Sequence, residues 1–212
     1  VGGDLVILES GVAALKSFFN GRADLYENVY GHSVASIFDA MYVLVGERAR
    51  ALYRAGDLIF ADESMQAVLA ANSSVDVPLK HIMNMDESSV RYHLKKWADG
   101  EDLPLRELSH EILNRRPFRR VEPTDENRAM VRKLVQDSGR DENYAMLELP
   151  EQTINFEKDL KKAPLVMRAD GSLLPLIEVS TPLGKLSELN HIKLKPLLAV
   201  SLSICKNLPV RH

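Results

Sequence analysis

The stretch from Ser33 to Ala55 constrains this chain most. Apolar residues recur at Val34, Ile37, Phe38, Met41, Leu44 and Val45, which is the spacing of one helical face. The spacing predicts a helix over Ser33–Ala55, with Gly46 as a candidate break. Asp39, Glu47, Arg48 and Arg50 would line its wet side. A helix of that length must bury its apolar stripe against other elements, so it commits the chain to a helical core.

Upstream, Ser10 is a candidate N-cap, followed by Val12, Leu15, Phe18 and Phe19 at helical spacing. This helix can run through Gly21 into a second pattern. Arg22, Tyr26 and Tyr30 are spaced i, i+4, i+8 and fall on one stripe of a helix, with His32 close by. A guanidinium holds phosphate through paired hydrogen bonds. A phenol stacks on a ring and adds one hydrogen bond. Spacing by itself more often marks packing residues than a ligand site.

Downstream, a helix starts near Asp62 and covers Met65–Ala71, and Asn72–Val77 is a polar break. Asp86 reads as an N-cap, with Met85 and Val90 at the positions of a hydrophobic staple. Val90, Leu94 and Trp97 would face the core, and Asp99-Gly100 ends that helix. Leu105, Leu108, Ile112 and Leu113 mark the next helix, which Pro117 terminates. Four arginines then fall within the six residues of Arg115-Arg-Pro-Phe-Arg-Arg120. Such a run serves as a solvated basic edge at the negative end of a helix, or as a phosphate cradle.

Around Val121 the character of the chain changes. Thr124 can cap a helix from Glu126 to Asp137, with Gly139 at its stop. Tyr144–Leu149, Leu165–Met167, Leu173–Val179 and Leu198–Ile204 follow as apolar runs. The last alternates cleanly and predicts a half-buried strand. Asp170-Gly171 predicts a hairpin turn. The fold class expected is therefore mainly α with a C-terminal α+β portion. A helical region spans 1–121, and a small α+β tail with a small antiparallel sheet spans 122–212.

Composition removes several functions. The 212 residues are 45% hydrophobic and 27% charged, as in an ordinary soluble globular protein. With 27 Lys plus Arg against 30 Asp plus Glu, the formal net charge is -3, which disfavours a nucleic-acid binder that is basic overall and leaves only a local patch. The single cysteine, Cys205, excludes a disulfide framework and a Cys-based zinc site, and it fits a reducing, cytoplasmic setting. No apolar run reaches the roughly 18 residues needed to span a bilayer. The opening residues, from Val1, carry no basic-then-apolar secretory pattern. His81, His93 and His110 form no H-x-x-x-H or H-E-x-x-H pair and read as surface or satisfied core histidines.

Three blocks carry a resemblance. R-x-x-L-Y-x-x-V-Y-x-H (Arg22 to His32), M-D-E-S-S-V-R-Y-H-L-K-K-W (Met85 to Trp97) and I-L-N-R-R-P-F-R-R-V (Ile112 to Val121) resemble HD-domain phosphohydrolases of the dNTP triphosphohydrolase, or dGTPase-like, type. They occur in that family's order with similar gaps and belong to its C-terminal half. The resemblance implies hydrolysis of a dNTP to deoxynucleoside and triphosphate. It implies that Arg22 contacts the triphosphate and Tyr30 packs on the sugar, while Tyr26 lines the pocket where some relatives carry a His. It further implies that His32, Arg115 and Arg119 match positions that contact an activating nucleotide at a subunit interface. Ser33 departs from that pattern, because activated relatives carry a Lys there.

In this family a His, a His-Asp pair and a distant Asp hold a divalent metal. The chain contains no His-Asp dipeptide; the nearest approach is His110-Glu111. The resemblance therefore implies a metal centre, with Mg, Mn or a similar ion, upstream of Val1. No catalytic residue and no cofactor is assigned to these 212 residues, and alone they are expected to be inactive. The expected partners are deoxynucleotides and further copies of the chain, through apolar surface on the Phe18/Tyr26 side, with no membrane. An alternative from another class is a non-catalytic module whose Arg115–Arg120 cluster binds nucleotide, nucleic acid or a partner subunit.

Overall fold

The computed structural model describes residues 6–25, 32–155, 165–179 and 191–205. In chain order its elements are β1 (Val6–Leu8), α1 (Val12–Leu25), α2 (Ser33–Ala55), α3 (Glu63–Ala70), α4 (Leu79–Asn84), α5 (Glu87–Ala98), α6 (Leu103–Leu113), β2 (Arg119–Val121), α7 (Asp125–Asp137), α8 (Glu142–Ala145), β3 (Met146–Leu149), β4 (Gln152–Asn155), β5 (Leu165–Met167), β6 (Leu173–Leu174), a helical turn at Leu176–Val179, β7 (His191–Leu194) and β8 (Leu197–Val200). The fold is mainly helical with small sheets. Contacts group the chain into two units, one of Val1–Ala35 with Pro150–Pro196, the other of Ser36–Leu149 with Leu197–His212. This grouping cuts across the change of composition at residue 121. The reason is strand pairing: β1 joins β5, and β8 returns to join β2 and β3.

In the second unit, α2 supplies the central stripe. Ile37, Met41, Val45, Ala49 and Leu52 are buried, and Phe38 and Leu44 pack beside them. The helix runs unbroken through Gly46, contrary to the expected break. Gly46 is exposed with open space around it. Its cost of about 1 kcal/mol relative to Ala is small against burial of about 1.5–3 kcal/mol for each large apolar side chain. The capping side chains act as the sequence suggests: Asp62 accepts from the Met65 amide at 2.8 Å, Asp86 from Ser89 at 2.8 Å and Thr124 from Asn127 at 3.2 Å. Helix α4 has no sequence counterpart, being too short for a periodic signal. The polar break holds a 3-10 turn, Ser74–Asp76.

Two readings are corrected in this unit. Arg48 does not line the wet side; it turns back onto Asp102 at the start of α6. The Leu198–Ile204 alternation is not a half-buried strand. The strand is Leu197–Val200, all four residues are buried, and a turn follows. It is the middle strand of the antiparallel order β2-β8-β3. Leu197 and Ala199 belong to the core built on α2, whereas Leu198 and Val200 pack with Val131 and Val135 of α7. Both faces of the sheet are covered, so both sides of the alternation are buried.

The first unit is smaller. β1 pairs in parallel with β5, and β6 pairs antiparallel with β5. The Asp170-Gly171 turn joins β5 and β6, with Gly171 at φ +85° and Asp170 accepting from the Ser172 amide at 2.9 Å and hydroxyl at 2.6 Å. β4 and β7 form a separate antiparallel pair. Val12, Val166 and Leu176 make the core, with Leu15 and Phe19 against it. Ser10 is not a helix cap, because it lies inside a 3-10 turn, Glu9–Gly11, that leads into α1. α1 continues past Gly21 to Leu25. Among the described residues no helix is long and apolar enough to cross a membrane.

Candidate functional site

Arg22 stands in the last turn of α1, half-buried, where a cation is favoured by the helix dipole. Tyr26 and Tyr30 lie outside the described residues. His32 is exposed immediately before α2, and its Nδ1 accepts from the Val34 amide at 3.4 Å. The imidazole thus acts locally as a cap at the N-terminus of α2. Arg22 and His32 belong to the first unit, Arg115 and Arg119 to the second.

The arginine cluster is built by the way α6 stops. The Arg115 amide donates to Ile112 O at 3.1 Å, and the Arg116 amide donates to Glu111 O at 2.8 Å. Those two bonds make a Schellman ending, whose turning residue is normally glycine in the left-handed region. Here the turning residue is Arg115, with φ +53°. For a non-glycine this conformation costs roughly 1–2 kcal/mol. Phe118 then plugs into the core at 2% exposure and fixes the segment. Arg115, Arg116 and Arg120 are exposed around that anchor, whereas Arg119 is half-buried on β2 opposite Val200. Its charge reaches the buried Cys205. Burial pushes the Cys205 thiol up to about 11, with Arg119 pulling the other way and Glu111 adding to the rise. Cys205 is thus a packed thiol held in its protonated form.

His93 is fully buried, and both ring nitrogens are engaged: Nδ1 donates to Ser89 O at 2.8 Å and Nε2 accepts from the Asp62 amide at 3.3 Å. His81 is buried with Nδ1 3.1 Å from Ser64 Oγ, and His110 is exposed. Among the described residues no group of three or more His, Cys, Asp and Glu side chains could hold a metal ion.

One charged residue was read from the sequence only as the neighbour of His110. Glu111 sits three residues after Leu108 and one before Ile112, on the buried stripe of α6, and it is only 8% exposed. Ser201 Oγ donates to Glu111 Oε1 at 2.8 Å, while Oε2 has no hydrogen-bond partner. Burial raises the Glu111 pKa and the Glu107 charge adds to it, while the Ser201 hydroxyl and backbone hydrogen bonds from Ser203 and Leu202 oppose the rise. The legible signal was a carboxylate placed at apolar helical spacing.

No family model matches the chain. It is 27% identical over 147 residues to the Bacillus subtilis protein YwfO, described as uncharacterized, covering 68% of this chain and 33% of YwfO. Its fold is similar to the crystal structure of a phosphohydrolase from Bacteroides thetaiotaomicron, with a TM-score of 0.72 at 22% identity. That match covers 92% of this chain and 51% of the phosphohydrolase. The chain thus shares its fold with about half of that structure and spans a third of the curated relative's length.

Proposed function

We propose that this chain is the substrate-gripping part of an HD-type phosphohydrolase that splits a deoxynucleoside triphosphate into deoxynucleoside and triphosphate. One observation carries the reading: the Arg22-to-His32 motif occurs on a chain whose fold is similar to that of a phosphohydrolase. Arg22 holds the phosphate oxygens, Tyr30 packs on the sugar and Tyr26 walls the pocket. The metal-holding residues come from outside these 212 residues, and no step of the reaction is derived through them.

The test uses the whole protein that contains this chain, with each dNTP and Mg²⁺ or Mn²⁺. Release of deoxynucleoside and triphosphate is expected. Arg22→Ala should raise KM by about ten- to a hundredfold, the value of one charged hydrogen bond. No release from any dNTP, or an unchanged KM in the variant, overturns the proposal. The 212-residue chain alone should turn over no dNTP, and chelator-sensitive turnover by it would put the metal ligands within it.

A second reading is favoured by Arg115. A non-glycine residue held at φ +53° among exposed arginines points to a retained binding role. On this reading Arg115 and Arg119 contact a regulatory nucleotide. Its affinity should fall in Arg115→Ala while the KM at low occupancy of that site stays unchanged. A parallel fall in dNTP and duplex-DNA affinity with rising salt would instead indicate a general phosphate-binding surface.

A further inference from the structure

The turn that follows α2 carries an apolar tip beside a groove, and both lie within the second unit. α2 stops on a Schellman ending. Gly56 lies at φ +84°, its amide donates to Tyr53 O at 3.2 Å, and the Asp57 amide donates to Leu52 O at 3.0 Å. The Ile59 amide then donates to Asp57 O at 3.0 Å, and Trp97 Nε1 donates to Phe60 O at 2.7 Å. Leu58 is thus held between two fixed points, with its side chain as open to solvent as in an unfolded chain, at 104% exposure. Phe60, two residues on, is exposed as well. Single exposed leucines are common, but this one borders a groove of about 650 Å³ with Leu52, Ile59, Trp97 and Leu105 in its walls. A groove of that size takes more than one side chain. Two of its charges, Arg48 and Asp102, already pair with each other. Lys96, Asp57 and Glu101 do not. Lys96 Nζ stands over the Phe60 and Tyr92 rings, 5.7 and 5.5 Å from their centroids, and among the described residues none of the three has an ion-pair partner.

We propose that this face is an isologous contact between two copies of the chain, with Leu58 of each copy seated in the groove of the other. An isologous contact needs one patch that is complementary to itself. This patch carries a knob and a hole side by side, and it carries both signs of unmatched charge. A two-fold axis brings Lys96 of each copy against the acidic rim, Asp57 and Glu101, of the other. A foreign partner would need only the knob or only the hole. The turn is fixed before contact, so little ordering entropy opposes its insertion. The patch is small, so the dimer is a reversible one of micromolar strength rather than an obligate one. The contact uses neither Arg22 nor the arginine cluster and does not rest on the nucleotide reading above. It also lies on other residues than the Phe18/Tyr26 side expected from the sequence.

The test is analytical ultracentrifugation of the 212-residue chain from about 1 to about 200 μM. A monomer–dimer equilibrium is expected. Leu58→Asp should raise its dissociation constant by at least about a hundredfold, since each dimer seats two copies of the leucine. The circular dichroism of that variant should match the parent, because the side chain is exposed in the single chain. Phe18→Asp should leave the constant unchanged. Lys96→Glu and the double variant Asp57→Lys/Glu101→Lys should each self-associate more weakly. An equal mixture of those two should form heterodimers beyond their statistical share in native mass spectrometry, a preference that no contact within one chain can produce. A chain that stays monomeric throughout the range, an unchanged constant in Leu58→Asp, a loss in Phe18→Asp as large as in Leu58→Asp, or a mixture without heterodimer preference would each overturn the assignment.

Discussion

Helix α6 ends in two opposite ways. At its N-terminus Asp102 accepts from the Leu105 amide at 2.9 Å, receives both prongs of Arg48, and sits beside Arg106, which donates to Gly100 O at 3.3 Å. At its C-terminus Glu111 Oε2 and, half a turn earlier, Ser109 Oγ have no partner, and Arg115 occupies a conformation suited to glycine. The first end is over-determined, by a local cap and by a cation 54 residues away in the chain. The second breaks several local rules within seven residues. Departures that a stable fold does not need concentrate where a chain binds or reacts. The carboxyl groups carry the same contrast in their acidity. Burial works against the Asp102 carboxylate, but Arg48 and the Leu105 amide outweigh it and hold the pKa below its ordinary value. Glu111 has no such cation and is raised.

Breaking the N-terminal end should cost most. Asp102→Ala removes a cap, worth about 1 kcal/mol, and leaves Arg48 half-buried without its carboxylate. The pair keeps some exposure, 25% for Arg48 and 19% for Asp102, so solvent screening reduces its worth below that of a sealed pair. Together the loss should be about 2–4 kcal/mol, read from the urea midpoint at unchanged slope. Because the folded pKa of Asp102 is depressed, its stabilisation is complete above the unfolded value. It is lost as pH falls through the folded one. The gap between parent and variant should therefore shrink in acid. A loss under 1 kcal/mol at pH 7 would mean that the two ends of α6 differ less than their geometry suggests.

Relieving the C-terminal end should have a smaller effect of opposite sign. Arg115→Gly places the expected residue in the Schellman turn and should stabilise by about 1 kcal/mol. The same change removes a guanidinium and should weaken nucleotide binding on the regulatory reading. Arg115→Ala removes the charge but keeps the strain, so the two variants separate conformation from chemistry. Should Arg115→Gly prove less stable than the parent, the arginine side chain would be contributing packing that offsets its backbone strain.

The well-behaved regions were also the legible ones. The α2 stripe, the Asp62, Asp86 and Thr124 caps and the Asp170-Gly171 turn follow from local chemistry, and periodicity or turn residues reveal them. What sequence reasoning missed depends on distant partners. Arg48 looks solvated until Asp102, 54 residues away, is brought beside it. The β8 alternation promises one wet face until α7 covers it. Ser201 and Glu111 are 90 residues apart, so nothing local joins them. The candidate site was read as a motif of Arg22, Tyr26 and Tyr30. Arg22 alone of these is among the described residues, in the last turn of α1.

The subtlest difference between the two ends lies in their pH response. Glu111 has a folded pKa above its unfolded one, mainly through burial, so the folded state holds its proton more tightly. Its favourable contribution is therefore complete below the unfolded value and is lost as pH rises through the folded value, the reverse of Asp102. Glu111→Gln cannot titrate, keeps an acceptor for the Ser201 hydroxyl, and should gain on the parent as pH rises. Thermal unfolding at about pH 5 and about pH 8 should show the variant's advantage growing between the two, by less than the Arg115→Gly effect. The groups acting on Glu111 are the Ser201 hydroxyl, the Glu107 carboxylate, the Ser203 and Leu202 backbone and the Cys205 thiol, while Arg48, Arg140, Asp141 and Tyr144 line one cavity with it. The two arginines are paired, with Asp102 and Glu107, so they leave the direction of that change unaltered. A constant gap across the range would mean that Glu111 does not change protonation in the folded chain. The orphaned oxygen would then be that of a permanently charged carboxylate, and the contrast between the two ends of α6 would rest on geometry alone.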